Sequence, residues 1–324
     1  MTSRVDGDAR LGLRLADELG SRHPVAAAAV VTPSAVRTAA NGADLSSDFE
    51  LASVSKALTG LLYADAVGRG EVRPGTTLGE LLPLGGAPVA RARLDALSTH
   101  RAGLPRLPPA AQPWRRTLRL WRHGTNPYTE TLDELFEQAR GVRVRREPAR
   151  PRYSNLGFEL LGHGLAAAAG TTYAALLERR LAGPLELTSL YAPSDATRLR
   201  PSALAGRSRR GAPREPWANA ALGPAGGVRA SITDLAGLIE ALLDGTAPGV
   251  AALEPVAAFA GGTRIGAGWV TTTLRGREVT WHNGGSGGFR SWIGLDRAAD
   301  TGVAVLSATA ASVDGVGFRL LASP

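Results

Sequence analysis

Strand-like segments lie at both ends of this 324-residue chain and nearly vanish from its middle. Near the start, residues 23–31 and 35–40 form two such segments with a Thr-Pro-Ser turn between them. Near the end, four more are separated by turns, at residues 267–274, 278–282, 289–295 and 302–307. Because a strand must pair its backbone N–H and C=O groups, we expect both ends of the chain to meet in one antiparallel sheet.

The middle of the chain, from about residue 72 to 225, is rich in Pro, Gly and Arg. Helical spacing of apolar residues predicts helices at residues 8–20, 53–68, 131–139, 154–169, 172–181, 231–243 and 315–321. The sequence therefore predicts an α+β fold, in which an antiparallel sheet built from both chain termini carries flanking helices and a mostly helical insert. We place the sheet domain at residues 1–75 and 225–324 and the insert at residues 76–224, with a small-molecule site in the cleft between them.

Lys56 is the only lysine among the 37 lysine and arginine side chains of the chain. Arginine cannot lose its proton in a protein, whereas a lysine amine can be driven neutral by burial or a neighbouring cation. Ser53 lies three residues earlier, on the same face of the predicted helix. Because a serine hydroxyl is a weak nucleophile until a base takes its proton, we predict that Ser53 and Lys56 are nucleophile and base. Ser-x-x-Lys also occurs by chance in unrelated proteins, so other motifs must decide.

Two further segments carry residue types that suit a substrate site. A Tyr-Ser-Asn motif at residues 153–155 opens a predicted helix. A His-Asn-Gly-Gly motif at residues 282–285 ends a predicted strand, and its glycines would let a substrate approach the backbone closely.

These motifs, in this order, resemble those of the serine β-lactamase and penicillin-binding-protein superfamily. The Tyr-x-Asn motif is similar to that of its class C β-lactamase, D-peptidase and esterase branch, since class A enzymes carry Ser-Asp-Asn instead. Other segments are also similar to this branch, at residues 49–53, 97–105, 223–227 and 285–290. The resemblance covers about residues 20–323 and implies a β-lactamase/transpeptidase-like fold and a serine hydrolase that works through an acyl-enzyme.

The resemblance also implies roles for individual side chains. Ser53 would attack a substrate carbonyl and become acylated, and Lys56 and Tyr153 would share the work of the general base. A tyrosine is a base at neutral pH only beside positive charge, which Lys56 would supply, so the two would titrate as a coupled pair. Asn155 would orient Lys56 and the substrate amide.

The glycine-flanked strand would supply the other side of the site. By the same resemblance, the backbone N–H groups of Ser53 and Gly285 would form the oxyanion hole, and His282 and Gly284 would contact the substrate. Many β-lactamases and penicillin-binding proteins carry a lysine where His282 stands, and its charge helps to hold a substrate carboxylate. Histidine is mostly neutral at pH 7, which argues against efficient β-lactam hydrolysis. We hypothesise that Arg290, on the next strand, replaces the missing carboxylate anchor.

The predicted substrate is a small ester, an amide such as a D-amino-acid peptide, or a β-lactam. We expect no metal and no cofactor, because the chain has no cysteine and its five histidines lack metal-ligand spacing. Two alternatives stay open: acyl transfer or peptide cyclisation at the same site, and a non-catalytic binding or scaffold protein. The intact residues Ser53, Lys56, Tyr153 and Asn155 favour the enzyme over the scaffold.

The net charge of +8 raises polyanion binding as another alternative. Arginines concentrate in two runs, at residues 140–152 and 198–214. Neither run is interleaved with aromatic residues or shows an extended apolar face, so we expect solvated surface and no nucleic-acid or membrane partner.

The first ten residues lack the apolar run of a signal peptide, and no stretch of about 18 apolar residues occurs. We therefore expect a cytoplasmic protein, or a secreted one if the true start of the chain lies further upstream. The sequence leaves the oligomeric state open.

Overall fold

The structure, a computed structural model, describes residues 5–107, 124–145 and 150–324. Its strands are β1 (Val5–Gly7), β2 (Ala26–Thr32), β3 (Ala35–Asn41), β4 (Phe49–Glu50), β5 (Arg229–Ala230), β6 (Ala257–Ala258), β7 (Arg264–Ile265), β8 (Val270–Leu274), β9 (Arg277–Gly285), β10 (Arg290–Asp296) and β11 (Thr301–Ser307). Nine of these form one sheet in the order β1-β3-β2-β11-β10-β9-β8-β7-β6, and β4 pairs with β5.

Strands from opposite ends of the chain are neighbours in the large sheet. Strand β2 pairs with β11, with Ala28 opposite Val305, and all pairings in this sheet are antiparallel. The predicted α+β fold, with one antiparallel sheet built from both termini, is confirmed. The edge strands β1 and β6, and β7 next to β6, are not predicted, because two or three residues are too few to show an alternating pattern.

In the described part of the chain, all seven predicted helices are present, together with two short ones. The helices are α1 (Ala9–Leu19), α2 (Ser55–Gly68), α3 (Leu78–Leu81), α4 (Leu94–Ser98), α5 (Leu132–Arg140), α6 (Asn155–Ala168), α7 (Tyr173–Leu177), α8 (Ile232–Leu243) and α9 (Asp314–Ala322). Two of them differ in detail from the prediction. Ser53 lies in a 3-10 turn before α2, and the helix predicted at 172–181 continues after Leu177 as a π-helical turn.

Both faces of the sheet are buried, as the alternation along β2 shows. Ala27 and Ala29 join the larger core, which also contains side chains of α2, α6 and α8. Ala26 and Ala28 point the other way, into a smaller core with side chains of α1 and α9. An apolar strand without polar alternation is typical of a sheet that helices cover on both sides. The fold therefore has three layers, with the sheet in the middle.

Helix α2 lies inside the larger core and carries the predicted base near its first turn. Most of its residues are buried, and it packs against α6 and against the turn Gly223–Gly227. A Cβ at Gly60 would lie 1.8 Å from the Ala267 carbonyl oxygen, so only glycine lets the sheet side approach this closely. These contacts fix the position of α2 between the sheet and the helical segment.

Between β4 and β5, the part of the chain that the structure describes contains helices and no strand of the large sheet. The domain boundaries near residues 75 and 225 stay a prediction. In the first arginine run, Arg143, Arg145, Arg150 and Arg152 are exposed, and Arg146 lies outside the described residues. No single described helix is long and apolar enough to cross a membrane, although Asn155–Ala168 and Tyr173–Ala182, bent by 75°, together reach that length and composition.

Candidate active site

Ser53 lies in the middle of the 3-10 turn Ala52–Val54 that leads into α2. Ala52 has a φ of 45°, a left-handed conformation that costs a non-glycine residue about 1–2 kcal/mol. The turn is held from outside, because the Ser291 hydroxyl donates a 2.6 Å hydrogen bond to the Leu51 carbonyl. Strain of this kind persists only where surrounding contacts impose it, and it directly precedes the half-buried Ser53 side chain.

Lys56 is fully buried, and two oxygens accept hydrogen bonds from its Nζ atom. One is Ser53 Oγ, at 3.2 Å, and the other is the Ala225 carbonyl oxygen. The amine therefore lies one hydrogen bond from the hydroxyl that it is predicted to deprotonate. The sequence singled out residues 223–227 only as a segment similar to the branch and did not predict this contact of Ala225, because a backbone acceptor leaves no mark on residue type.

Tyr153 lies beside the amine, with its ring centroid 4.9 Å from Lys56 Nζ. A second cation is near, since the Arg106 guanidinium carbon is 5.7 Å from the same centroid. The structure thus brings Ser53, Lys56 and Tyr153 together, although 100 residues of sequence separate the serine from the tyrosine. Their catalytic roles stay a prediction.

His100 packs against Tyr153, with ring centroids 4.6 Å apart. Its Nδ1 accepts a 3.1 Å hydrogen bond from the Ser154 backbone N–H, so in the neutral ring the proton is on Nε2. Burial, and then the positive charge of Lys56, hold the pKa of His100 well below its usual value. A neutral imidazole therefore supports the phenol ring, a contact that the sequence did not predict.

Asn155 does not make its predicted contact with Lys56. Its Nδ2 donates a 3.0 Å hydrogen bond to the Tyr128 hydroxyl, and its buried Oδ1 has no partner. The physical reason is that Lys56 points its amine at Ser53 and Ala225 instead. Asn155 therefore holds Tyr128 in this structure, and its Oδ1 is left as a free acceptor.

Glu159 is a buried acid that the sequence analysis did not single out. It follows Asn155 by one turn of α6, and its Oε2 has no hydrogen-bond partner. Burial raises the pKa of Glu159 to about 7, although the positive charge of Lys56 opposes the rise. The available signal was one glutamate in an otherwise apolar helix segment.

We expect Glu159→Gln to stabilise the protein by about 2–3 kcal/mol at pH 8 and by under about 1 kcal/mol at pH 5. The folded-state pKa of about 7 lies above the ordinary value of 4.5. The stability that protonation of Glu159 contributes is therefore complete below about pH 4.5 and is lost as the pH rises through about 7. Urea unfolding at both pH values measures it, with the exposed Glu178→Gln as control. Equal effects of the two substitutions at pH 8 would contradict this account.

His282 is buried on β9, and its Nδ1–H donates a 2.7 Å hydrogen bond to the Asn283 carbonyl. Burial, and then the charge of Lys56, lower the pKa of His282 to about 3. The imidazole is therefore neutral at pH 7 and provides no positive charge at this position.

The glycines after His282 let β9 run directly past the serine. A Cβ at Gly284 would lie 2.2 Å from the Leu51 carbonyl oxygen and 3.0 Å from the Ser53 backbone nitrogen. A Cβ at Gly285 would lie 2.9 Å from the guanidinium carbon of Arg290. The strand thus has Ser53 on one side and Arg290 on the other, and the oxyanion hole at Ser53 and Gly285 stays a prediction.

Arg290 is half-buried, and its Nη1 donates hydrogen bonds of 2.8 Å to the carbonyls of Ser286 and Phe289. Burial lowers its pKa, the nearby Asp314 opposes this change and Arg209 adds to it. Arg290 is therefore a cation fixed beside the glycine strand, with another arginine close by.

This arrangement suits acyl transfer to a serine. It offers a hydroxyl, an adjacent amine, a phenol beside the amine, and a glycine-containing strand that passes next to the serine. Among the described residues, no group of three or more His, Cys, Asp or Glu side chains is placed to hold a metal ion.

Comparison with known proteins agrees with this geometry. A family model described as Beta-lactamase matches residues 14–322. The D-alanyl-D-alanine-carboxypeptidase/endopeptidase AmpH of Escherichia coli (strain K12) is 28% identical over 159 residues, which are 46% of this chain and 38% of AmpH. The match therefore spans well under half the length of that relative.

Solved structures with the same fold extend over nearly the whole chain. A class C beta lactamase from Rhodobacter sphaeroides superimposes with a TM-score of 0.77 and 21% identity, covering 95% of each chain. The D-alanine carboxypeptidase AmpC from Burkholderia cenocepacia gives a TM-score of 0.79 at 21% identity, covering 97% of each chain. At these identities, the likeness establishes the fold.

Proposed function

The chain belongs to the Beta-lactamase family, and from this membership we propose that it is a serine hydrolase that forms an acyl-enzyme on Ser53. Homologues in this family include β-lactamases and D-alanine carboxypeptidases. The observation that carries the proposal is the 3.2 Å hydrogen bond from Lys56 Nζ to Ser53 Oγ, with Tyr153 alongside. This buried amine is placed where it can accept the proton of the serine hydroxyl, and we see no other role for it in the core.

The proposed reaction has two steps. Ser53 Oγ attacks the carbonyl carbon of an ester or amide and passes its proton to the Lys56–Tyr153 pair, which returns one to the leaving group as the C–O or C–N bond breaks. Water then attacks the acyl-enzyme, releases the acid and restores the serine hydroxyl. Because Lys56 Nζ lies 4.9 Å from the Tyr153 ring centroid, we assign the role of base to the pair and not to one residue.

For the substrate, we propose small esters or D-amino-acid peptides in preference to β-lactams. His282 supports this choice, since its buried neutral ring gives no permanent charge for a β-lactam carboxylate.

We expect a fluorophosphonate to add once to the wild-type protein, on Ser53, as read by intact mass and peptide mapping. Ser53→Ala should show no adduct, because the nucleophile is gone, and the exposed Ser46→Ala should label like the wild type. Absence of any adduct on Ser53 would favour the scaffold alternative.

The wild-type protein is then assayed in parallel with p-nitrophenyl esters, D-Ala-D-Ala peptides and a chromogenic cephalosporin. We expect kcat/KM for an ester or the peptide to exceed that for the cephalosporin. A cephalosporin that is the best substrate would overturn the substrate class while leaving the serine hydrolase intact.

A further inference from the structure

A cavity of about 480 Å³ opens beside the end of β9, and four of its eight lining residues are arginines. Arg209, Arg210 and Arg214 come from one loop, and Arg290 comes from β10. Ser286 adds a polar group to the same wall, and no acidic residue lines the cavity. Four arginines from two distant segments therefore converge on one space.

The positive charge of this cavity is not neutralised within the described chain. None of the four guanidinium groups lies within 4 Å of a described carboxylate. The buried carboxylates Asp48 and Glu50 pair with a different arginine, Arg229. Asp314 influences Arg290 without forming an ion pair, and its Oδ2 accepts a 2.9 Å hydrogen bond from Asn283. Like charges in one cavity repel each other, so the cluster favours a bound anion.

The cavity also lies next to the candidate nucleophile. Gly284 is against the Ser53 backbone, and the guanidinium of Arg290 lies over Gly285, the next residue of the strand. A substrate held along β9 with its carbonyl at Ser53 would thus direct one end toward the arginines. One monocarboxylate would need a single arginine, whereas four suit an oxyanion that accepts several charged hydrogen bonds at once.

We propose that this cavity, here called the arginine pocket (Arg209, Arg210, Arg214 and Arg290), binds a substrate group with at least two negative charges, such as a phosphate ester. The inference rests on the proposed function, because the bound group is part of the molecule that acylates Ser53. Arg209, Arg210 and Arg214 belong to the second arginine run, which the sequence predicts to be solvated surface. In this proposal they determine substrate specificity instead.

The test uses three p-nitrophenyl esters with acyl chains of matched length that end in a methyl, a carboxylate or a phosphate group. In a phosphate-free buffer of low ionic strength, kcat/KM should rise in that order. We expect the phosphate ester to exceed the methyl ester by at least about tenfold, the effect of about one added charged hydrogen bond. A phosphate ester no better than the methyl ester overturns the proposal.

The variant Arg209→Gln/Arg210→Gln removes two exposed cations of the pocket and should reduce this ratio by about tenfold or more. Arg179→Gln removes an exposed arginine outside the pocket and should leave the ratio unchanged. Circular dichroism checks that both variants are folded, and Arg214→Gln provides an independent second variant. A ratio that survives both pocket substitutions overturns the proposal.

Two further measurements separate the remaining outcomes. If inorganic phosphate stimulates the methyl ester while the ratio stays flat, the pocket binds a free anion and the proposal is wrong. If no ester acylates Ser53, the proposed function fails, and calorimetry with butyl phosphate still tests the pocket. Binding by the wild type that weakens about tenfold in Arg209→Gln/Arg210→Gln supports an anion site, and equal or absent binding rejects it.

Discussion

Replacing Lys56 with methionine should lower kcat/KM for p-nitrophenyl esters by about 100- to 10,000-fold, the range expected for loss of a general base. Methionine keeps an unbranched chain in the buried position but cannot take a proton from Ser53. Lys56→Arg keeps the charge beside Tyr153 but cannot lose its proton, so it should be impaired to a similar degree. Stopped-flow measurement of p-nitrophenol release resolves the acylation step.

The matched control for this experiment is Leu58→Met, a volume-conserving change at a buried position of the same helix. It should retain activity within a few-fold of the wild type. Substantial acylation by Lys56→Arg would show that the site needs only a positive charge, and the role of Lys56 as base would be wrong.

Arg229→Met should reduce the free energy of unfolding by about 3–5 kcal/mol at pH 8, because it leaves two buried carboxylates without their cation. Arg229 is buried on β5, pairs with Asp48 and Glu50, and donates further hydrogen bonds to the carbonyls of Asp48 and Leu204. These contacts tie the segment that leads into Ser53 to a distant strand and loop. We therefore expect a large loss in the free energy of unfolding, with the lost contacts close to the segment that leads into Ser53.

The loss should be smaller at pH 5 than at pH 8. Burial already raises the pKa of Glu50 with Arg229 present, and removal of that cation would raise the pKa of Glu50 further. Protonation at pH 5 then removes part of the uncompensated charge. Urea unfolding at both pH values measures the difference, with Arg297→Met as control, since its ion pair with Glu254 is exposed and should contribute about 0–1 kcal/mol. A loss of under about 1 kcal/mol for Arg229→Met at pH 8 would contradict the argument.

Local patterns were sufficient for much of the fold. The helix at Asn155–Ala168 follows from the helical spacing of apolar residues over 154–169. The structure adds its N-cap, Ser154, whose hydroxyl accepts a hydrogen bond from the Gly157 backbone N–H. The strands at both ends follow from short runs bounded by turns. Where the pattern was too short, as in β1, β6 and β7, or where π-helical geometry replaced the α-helix after Leu177, sequence spacing carried no signal.

In the candidate site, too, one contact could be predicted from sequence spacing and another could not. The Ser53–Lys56 contact depends on a spacing of three residues, and the structure places these two side chains together as that spacing predicts. The predicted contact between Asn155 and Lys56 is not made in this structure. It would join two helices that are far apart in sequence, and the Lys56 amine donates to the Ala225 carbonyl instead.

The sequence by itself determined the helix and strand segments of the α+β fold and the pairing of the lone lysine with its serine, because each depends on residues that are close along the chain. The order of the motifs is read directly from the sequence. Only the tertiary structure placed Glu159 in the core, His100 against Tyr153 and four arginines around one cavity. Those groups are far apart in sequence, and their burial and charge neighbours depend on how the layers pack. Long-range packing therefore decides the electrostatics of the site, while short-range spacing decides which residues can serve in it.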